Sequence, residues 1–285
     1  MNLPGNVSSK MEYIQKVFLG VQNFMQKNPE PDELISFLNA EPPEFRSVVY
    51  ESASMEIGLQ DLCSGKGLDN WKEFYQRSAK EHTFHMDIGL GWAFAKTEIS
   101  LASYIETLRP VMRRMVFDGI GYYNGLFKGR RTVKNQLVPE GVEGEDLYGF
   151  DQGLGRRLWY IAKGEVKKVT GLIQAFPIKR HPALWCGVGI ACGYVGGNRQ
   201  EDLELLLKTS GEFNKQLQTG VMLAAISRSA SDSVTVDLET ACQILCKKTM
   251  KEIKELVSQI TDKFFYIYNN KDYSNWLTQL ESELS

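Results

Sequence analysis

The stretch FDGIGYYNGLF, Phe117 to Phe127, carries the glycine pattern G-x-G-x-x-x-G. Whether this is a phosphate-binding loop or a helical packing notch decides the fold. A dinucleotide loop needs a buried strand directly before its glycines, so that the turn presents backbone N–H groups to a pyrophosphate at a helix N-terminus. LRPVMRRMVFD precedes Gly119 and places Arg109, Arg113 and Arg114 where a central strand is apolar. IKRHPALWC, before Gly187, is broken by Pro182. The glycines are therefore read as notches. Gly121 with Gly125, and Gly189 with Gly193, lie four apart on one helical face, where missing side chains let a neighbouring helix approach. Each costs about 1 kcal/mol of helix propensity against alanine, and packing must offset that.

The notch recurs. G-x-G occurs at Gly89/Gly91, Gly119/Gly121, Gly153/Gly155 and Gly187/Gly189, at intervals of 30 to 34 residues. Weaker members stand at Gly58 and Gly220. Segments with helical apolar spacing precede the units: LDNWKEFYQRSAK, SLASYIETLRPVMRRMV, GEVKKVTGLIQAF and QEDLELLLKTSGEFNKQL. No comparable run alternates with period two. The expected fold is all-α: a single domain over residues 1–285 of stacked helical hairpins, an α-solenoid of tetratricopeptide-like repeat length.

Two stretches interrupt this order. Lys128 to Gly149 reads as a charged loop or lid, and Ser227 to Asp237 as a connector in which Asp237 caps the helix LETACQILCKKTMKEIKELVSQI. Capping helices are expected over about 237–285, the last of them in SNWLTQLESEL from Ser274.

Composition narrows the function classes. With 33 basic and 35 acidic side chains the net charge is -2, which gives no general attraction for nucleic acid or anionic membrane. No stretch reaches the ~18 apolar residues of a membrane span, and the N-terminus lacks the apolar core of a signal peptide, so a cytoplasmic protein is expected. The five cysteines show no C-x-x-C spacing and read as free thiols, those at Cys242 and Cys246 buried and inert. Motifs for a serine hydrolase, a zincin or a P-loop are absent. His82, His85 and Asp87 have a spacing that a metal could use, but two histidines three apart are commonly hydrogen-bonded helix residues. No metal and no cofactor are expected.

What remains is a polar and aromatic group at matching positions of adjacent units. Asp118 and Tyr122 flank the third pair of glycines, and Gln152 and Arg156 take the same places in the fourth. Asp151, Arg157 and Trp159 stand alongside, and Trp92, Tyr123, Trp185 and Tyr194 add aromatic surface. Stacked repeats bring equivalent positions together. Two readings are open: an inter-repeat ladder such as Asp118 to Arg156, or a ligand groove in which Asp118, Tyr122 and Arg156 bind an oxygenated apolar molecule or move a proton.

The succession YESASMEIGLQDL, HMDIGLGWAFAK, FDGIGYYNGLFKGRR, YGFDQGLGRRLWYIAKG and LWCGVGIACGYVGG resembles an uncharacterised bacterial family whose genes sit beside enediyne polyketide synthases. The match runs from about Glu51 to Arg228; Glu51 to Met55 reads ESASM where the family is expected to read EGAAM. The resemblance implies an accessory protein of specialised-metabolite biosynthesis, acting on an early polyene or core-stage intermediate, free or carrier-bound, alongside a biosynthetic protein partner. It brings no assigned catalytic residues. Two rivals remain. An acid/base isomerase or cyclase predicts an enclosed pocket, and a non-catalytic scaffold predicts a flat polar groove.

Overall fold

A computed structural model describes residues 6–65, 67–105, 108, 110–253, 255, 256, 280 and 282. All regular structure among these residues is helical. In chain order the helices are α1 (Val7–Met25), α2 (Pro31–Asn39), α3 (Pro43–Ser64), α4 (Asp69–Thr97), the short α5 (Ala102–Ile105), α6 (Pro110–Phe127), α7 (Gly144–Ala162), α8 (Val166–Gln174), α9 (His181–Val195), α10 (Gln200–Ser210), α11 (Asn214–Ala230) and α12 (Val236–Leu245). Local signals set many of these limits. Asn6 accepts from the Ser9 N–H to cap α1, a proline opens each of α2 and α3, and Gly65 ends α3 in the left-handed region (φ 68°).

The glycine helices α3, α4, α6, α7, α9 and α11 pack side by side in that order. One contact rule joins them. The first glycine of a unit meets the carbonyl of the residue that precedes the first glycine of the unit before. A Cβ built on Gly119 would lie 2.1 Å from Ile88 O, on Gly153 1.8 Å from Asp118 O, on Gly187 1.9 Å from Gln152 O and on Gly220 2.0 Å from Cys186 O. The second glycine meets the carbonyl three residues ahead of the next unit's first glycine: Gly91 with Val116 O at 2.1 Å, Gly121 with Phe150 O at 1.9 Å, Gly155 with Leu184 O at 2.1 Å and Gly189 with Leu217 O at 2.0 Å. No side chain fits at such separations, so the sequence repeat is a repeat of backbone contacts, close enough for Cα–H···O interactions.

The row curls on itself. His85 of α4 meets the ring of Tyr194 on α9 at 4.7 Å, α11 returns to pack on α4, and Arg228 near the end of α11 donates to Glu44 O at the start of α3 (3.2 Å). The inner faces of the six helices thus share one interior. Helices α8, α10 and α12 pack against the row's second half, and α1 lies along α3 and reaches α9. Buried Lys10 ties α1 to Glu44 (3.2 Å) and to Asp237 of α12 (2.5 Å).

The all-α class and the stacking match the expectation, and the pairs α8/α9 and α10/α11 are the expected hairpins. At α4 the amphipathic and small-residue segments form one helix of 29 residues, because no proline or glycine separates them; it only kinks at His82 (φ -126°, ψ 15°). Pro110 instead cuts the third amphipathic segment, so its second part continues directly into the glycines of α6. The loop expected over 128–149 contains a π-helical turn, Arg130–Lys134, and its last residues already belong to α7. The connector expected over 227–237 begins later, since α11 runs to Ala230, and Thr235 rather than Asp237 caps α12, its hydroxyl accepting from Leu238 N–H. The long helix expected after it stops at Leu245, two residues before left-handed Lys247 (φ 53°). Most of the C-terminal capping segment, including nearly all of that from Ser274, lies outside the described residues.

Gly153→Ala places its methyl group against Asp118 O and is expected to cost about 3 kcal/mol or more. Gly171→Ala, on α8 with nothing within 4 Å of its Cβ, is expected to be neutral or to stabilise by about 0.5–1 kcal/mol. Urea unfolding of the two variants checks the contact rule.

Candidate functional site

Because the crossings repeat, the residues just before the first glycines become neighbours, and Asp118, Gln152 and Cys186 among them are linked by hydrogen bonds. Gln152 Nε2 donates to Asp118 Oδ2 (2.7 Å), and Cys186 Sγ donates to Gln152 Oε1 (3.7 Å). Arg114 donates to the same Gln152 oxygen at 3.3 Å. Asp118 Oδ1 accepts from Arg156 Nη1 at 2.5 Å, one turn further along α7. Burial pushes the Asp118 carboxyl above the usual carboxylate range, while Arg156 and Gln152, one donor on each oxygen, pull it back. Burial alone would lower Arg156, but Asp118 and Glu51 outweigh it and raise its pKa. A second buried pair stands on α3 and α4, where His85 Nδ1 lies 2.8 Å from Glu51 Oε2.

These groups border a chamber of about 740 Å³ between α1 and the inner faces of the row. Its floor includes Glu51, His85, Tyr122, Arg156, Tyr160 and Tyr194; its walls include Phe18, Trp92, Tyr123 and Leu126. Aromatic contacts order the wall: Trp92 to Tyr122 at 5.3 Å, Trp92 to Phe18 at 5.1 Å and Tyr122 to Tyr160 at 5.6 Å. Exposed Leu19 and Phe127, 49% and 63% accessible, mark its opening, with Lys96 and Lys163 beside them. Beneath the floor a void of about 50 Å³ shares His85, Arg156, Tyr160 and Tyr194 with the chamber and adds Asp118. Burial raises the phenols of Tyr122, Tyr160 and Tyr194, so all three remain hydroxyl donors at neutral pH. Trp92 Nε1 and Arg157 Nε, shielded from solvent at the chamber, have no acceptor among the described residues.

The residues singled out from sequence divide into two groups. Trp92, Tyr122, Tyr123, Arg156, Arg157 and Tyr194 line the chamber, with Asp118 and Gln152 behind Arg156. Three lie elsewhere. Asp151 forms a buried two-pronged pair with Arg180, which also donates to Gln136 O (3.0 Å) and so fixes the 128–143 segment. Trp159 and Trp185 are buried core residues that do not border the chamber. His82 and His85 have different partners, since His82 Nδ1 pairs with Ser47 Oγ (3.0 Å) and its ring stacks on Tyr50 at 4.1 Å. Cys192 and Cys242 are buried, and burial pushes their thiols up to about 12. Sequence reasoning missed Glu51 and Tyr160, and did not place His85 in the site. The signal for Glu51 was the repeat length: Glu51–His85 and Asp118–Gln152 are both 34 residues apart.

The fold and site define an all-α protein in which glycine-notched helices enclose an aromatic chamber with a charged floor. A family model described as a protein of unknown function (DUF1702) matches residues 4–284, and the chain belongs to that family. Neither a curated protein nor a solved structure matches it. No helix among the described residues is long and apolar enough to cross a membrane.

Asp118→Ala leaves Arg156 charged and buried without its carboxylate and is expected to cost about 3–5 kcal/mol; Asp118→Ala combined with Arg156→Met should recover part of that loss. Urea unfolding of the single and double variants measures the coupling. His82 supplies a pH effect. Burial, with His85 and Arg46, lowers its pKa to about 3, whereas the unfolded chain takes up that proton below about 6.5. Its contribution to stability is therefore lost as pH falls from about 6.5 toward 3, at up to about 1.4 kcal/mol per pH unit. His82→Asn should flatten the acid side of a stability–pH curve measured by urea unfolding.

Proposed function

We propose that the chamber binds one elongated, mostly apolar molecule that carries oxygen acceptors. The observation that carries this reading is a chamber of about 740 Å³ with aromatic walls, in which Trp92 Nε1 and Arg157 Nε lack acceptors. Ligand sites are commonly apolar cavities of about 300–1,000 Å³ with a few placed polar groups, and a buried donor without an acceptor costs about 1–3 kcal/mol. A ligand oxygen would remove that cost. At ~30 Å³ per heavy atom the space holds roughly 20–25 non-hydrogen atoms. A scaffold fits less well, because the polar groups face an interior.

The protein is assigned on the same footing to specialised-metabolite biosynthesis of the enediyne or polyketide type, in the cytoplasm. There it receives an apolar intermediate, free or delivered on a carrier by a biosynthetic partner. This rests on the resemblance of the glycine units from Glu51 to Arg228. Among the residues first considered catalytic, Asp118 is a positioning residue, since both its oxygens are occupied, and Tyr122 and Arg156 are the two that face the chamber.

Binding of a conjugated fluorescent polyene such as parinaric acid methyl ester tests the reading. Expected are one molecule per chain, quenching of tryptophan emission, and a loss of about tenfold in affinity in Trp92→Ala. Absence of saturable binding would reject it. Deleting the gene and comparing metabolite extracts tests the pathway assignment, which fails if the profiles are identical.

A further inference from the structure

We infer that His85 is a proton-transferring group of this chamber, oriented by Glu51, and that the bound molecule is a β,γ-unsaturated carbonyl compound whose double bond is moved into conjugation. The inference rests on the binding reading above and adds a reaction to it. Glu51 and His85 are both buried and 2.8 Å apart through Nδ1. A carboxylate accepting from Nδ1–H leaves the lone pair of the neutral ring on Nε2. Among the described residues nothing hydrogen-bonds that nitrogen, and the His85 ring borders both the chamber and the void below it. Nε2 is therefore a base with a fixed tautomer that faces the chamber.

The same chamber holds donors suited to a negatively charged oxygen. Arg156 is kept in place by Asp118 and lies 5.0 Å from the ring centre of Tyr122, and the hydroxyls of Tyr122 and Tyr160 stay protonated. A positioned base, with a guanidinium and phenols in one apolar enclosure, suits removal of a proton next to a carbonyl. His85 Nε2 takes the α-proton, and the C–H electron pair moves through the α-carbon to the carbonyl oxygen, giving a dienolate held by Arg156 and the tyrosines. The imidazolium exchanges its proton with solvent through the chamber's opening and delivers one to the γ-carbon. The electrons flow back, the double bond comes to lie between the α- and β-carbons, and His85 is neutral again. Nothing is oxidised, reduced or consumed, and the gain of conjugation drives the step. An ion pair at this depth contributes little stability compared with apolar side chains of the same volume, so packing alone is a poor account of Glu51 and His85.

The test uses the full-length chain in D₂O with a long-chain methyl ketone whose double bond lies one carbon short of conjugation. Binding is followed by tryptophan quenching, and reaction by conjugated-enone absorbance and NMR. The wild type should produce the conjugated ketone with deuterium at the γ-carbon. His85→Gln should bind the probe unchanged but react at least about 100-fold more slowly, and added imidazole should restore part of the rate to His85→Ala. Glu51→Gln, at the positioning residue, should lower kcat about tenfold or more with KM unchanged. Tyr160→Phe, which keeps the ring and removes only a donor, should also lower kcat. Saturable binding with no conversion or deuterium uptake above buffer overturns the proton-transfer inference and leaves the binding reading standing, as does full activity in His85→Gln. Failure of both this probe and the polyene to bind overturns the two together.

Discussion

Everything in this molecule depends on helix backbones meeting where glycine leaves no side chain between them. At each of the four crossings from α4 to α11, two carbonyl oxygens occupy the places of Cβ atoms, within about 2 Å of where those atoms would be. Such contact fixes the axial register of each helix, because sliding by one residue would drive a side chain into a carbonyl. Register in turn fixes which side chains meet. Asp118, Gln152 and Cys186 form a hydrogen-bonded line because each precedes a notch glycine, and the line is as regular as the notches.

That regularity explains how a largely apolar bundle carries so much buried charge. Asp118, Arg156, Glu51, His85, Arg114 and Arg228 are all under 10% exposed. Isolated, each would carry a desolvation penalty of several kcal/mol. Placed by the crossings, they meet donors or acceptors on adjacent helices: Arg228, for instance, donates to Tyr194 O and lies 4.0 Å from the Tyr194 ring centre. Tight packing on one side of each helix thus lets the other side face a chamber whose floor is polar and whose walls are aromatic.

Much of this was legible in the sequence, for identifiable reasons. Glycine spacing disclosed the notches, and the arginines before Gly119 with Pro182 before Gly187 excluded strands. Matching positions in adjacent units placed Asp118, Tyr122, Gln152 and Arg156 together. The failures also have causes. Asp151 looked like a neighbour of the site, but adjacent helix positions differ by ~100° in direction, and it turns to Arg180 instead. Trp159 and Trp185 point into the core, since aromatic bulk alone does not say which interior it fills. Glu51 escaped notice because Ser52 takes the place of the notch glycine after it, so that Gly89 meets Glu51 O at 2.2 Å while Gly58 meets only side chains, and the part of α1 in the chamber wall could not be placed because it carries no repeat signal. The continuity of α4 was hidden because its amphipathic and small-residue parts read as two segments, although no proline or glycine separates them.

The tether at Lys10 bears on how the protein is made. Its ammonium joins the first helix to Asp237, 227 residues further along the chain, and the helix it anchors forms a wall of the chamber. During synthesis that helix leaves the ribosome before α12, which brings its second carboxylate. Contacts so distant in sequence close late in folding, and domains assemble as the chain emerges. The α1 wall of the chamber is therefore tethered at Asp237 only after α12 has emerged.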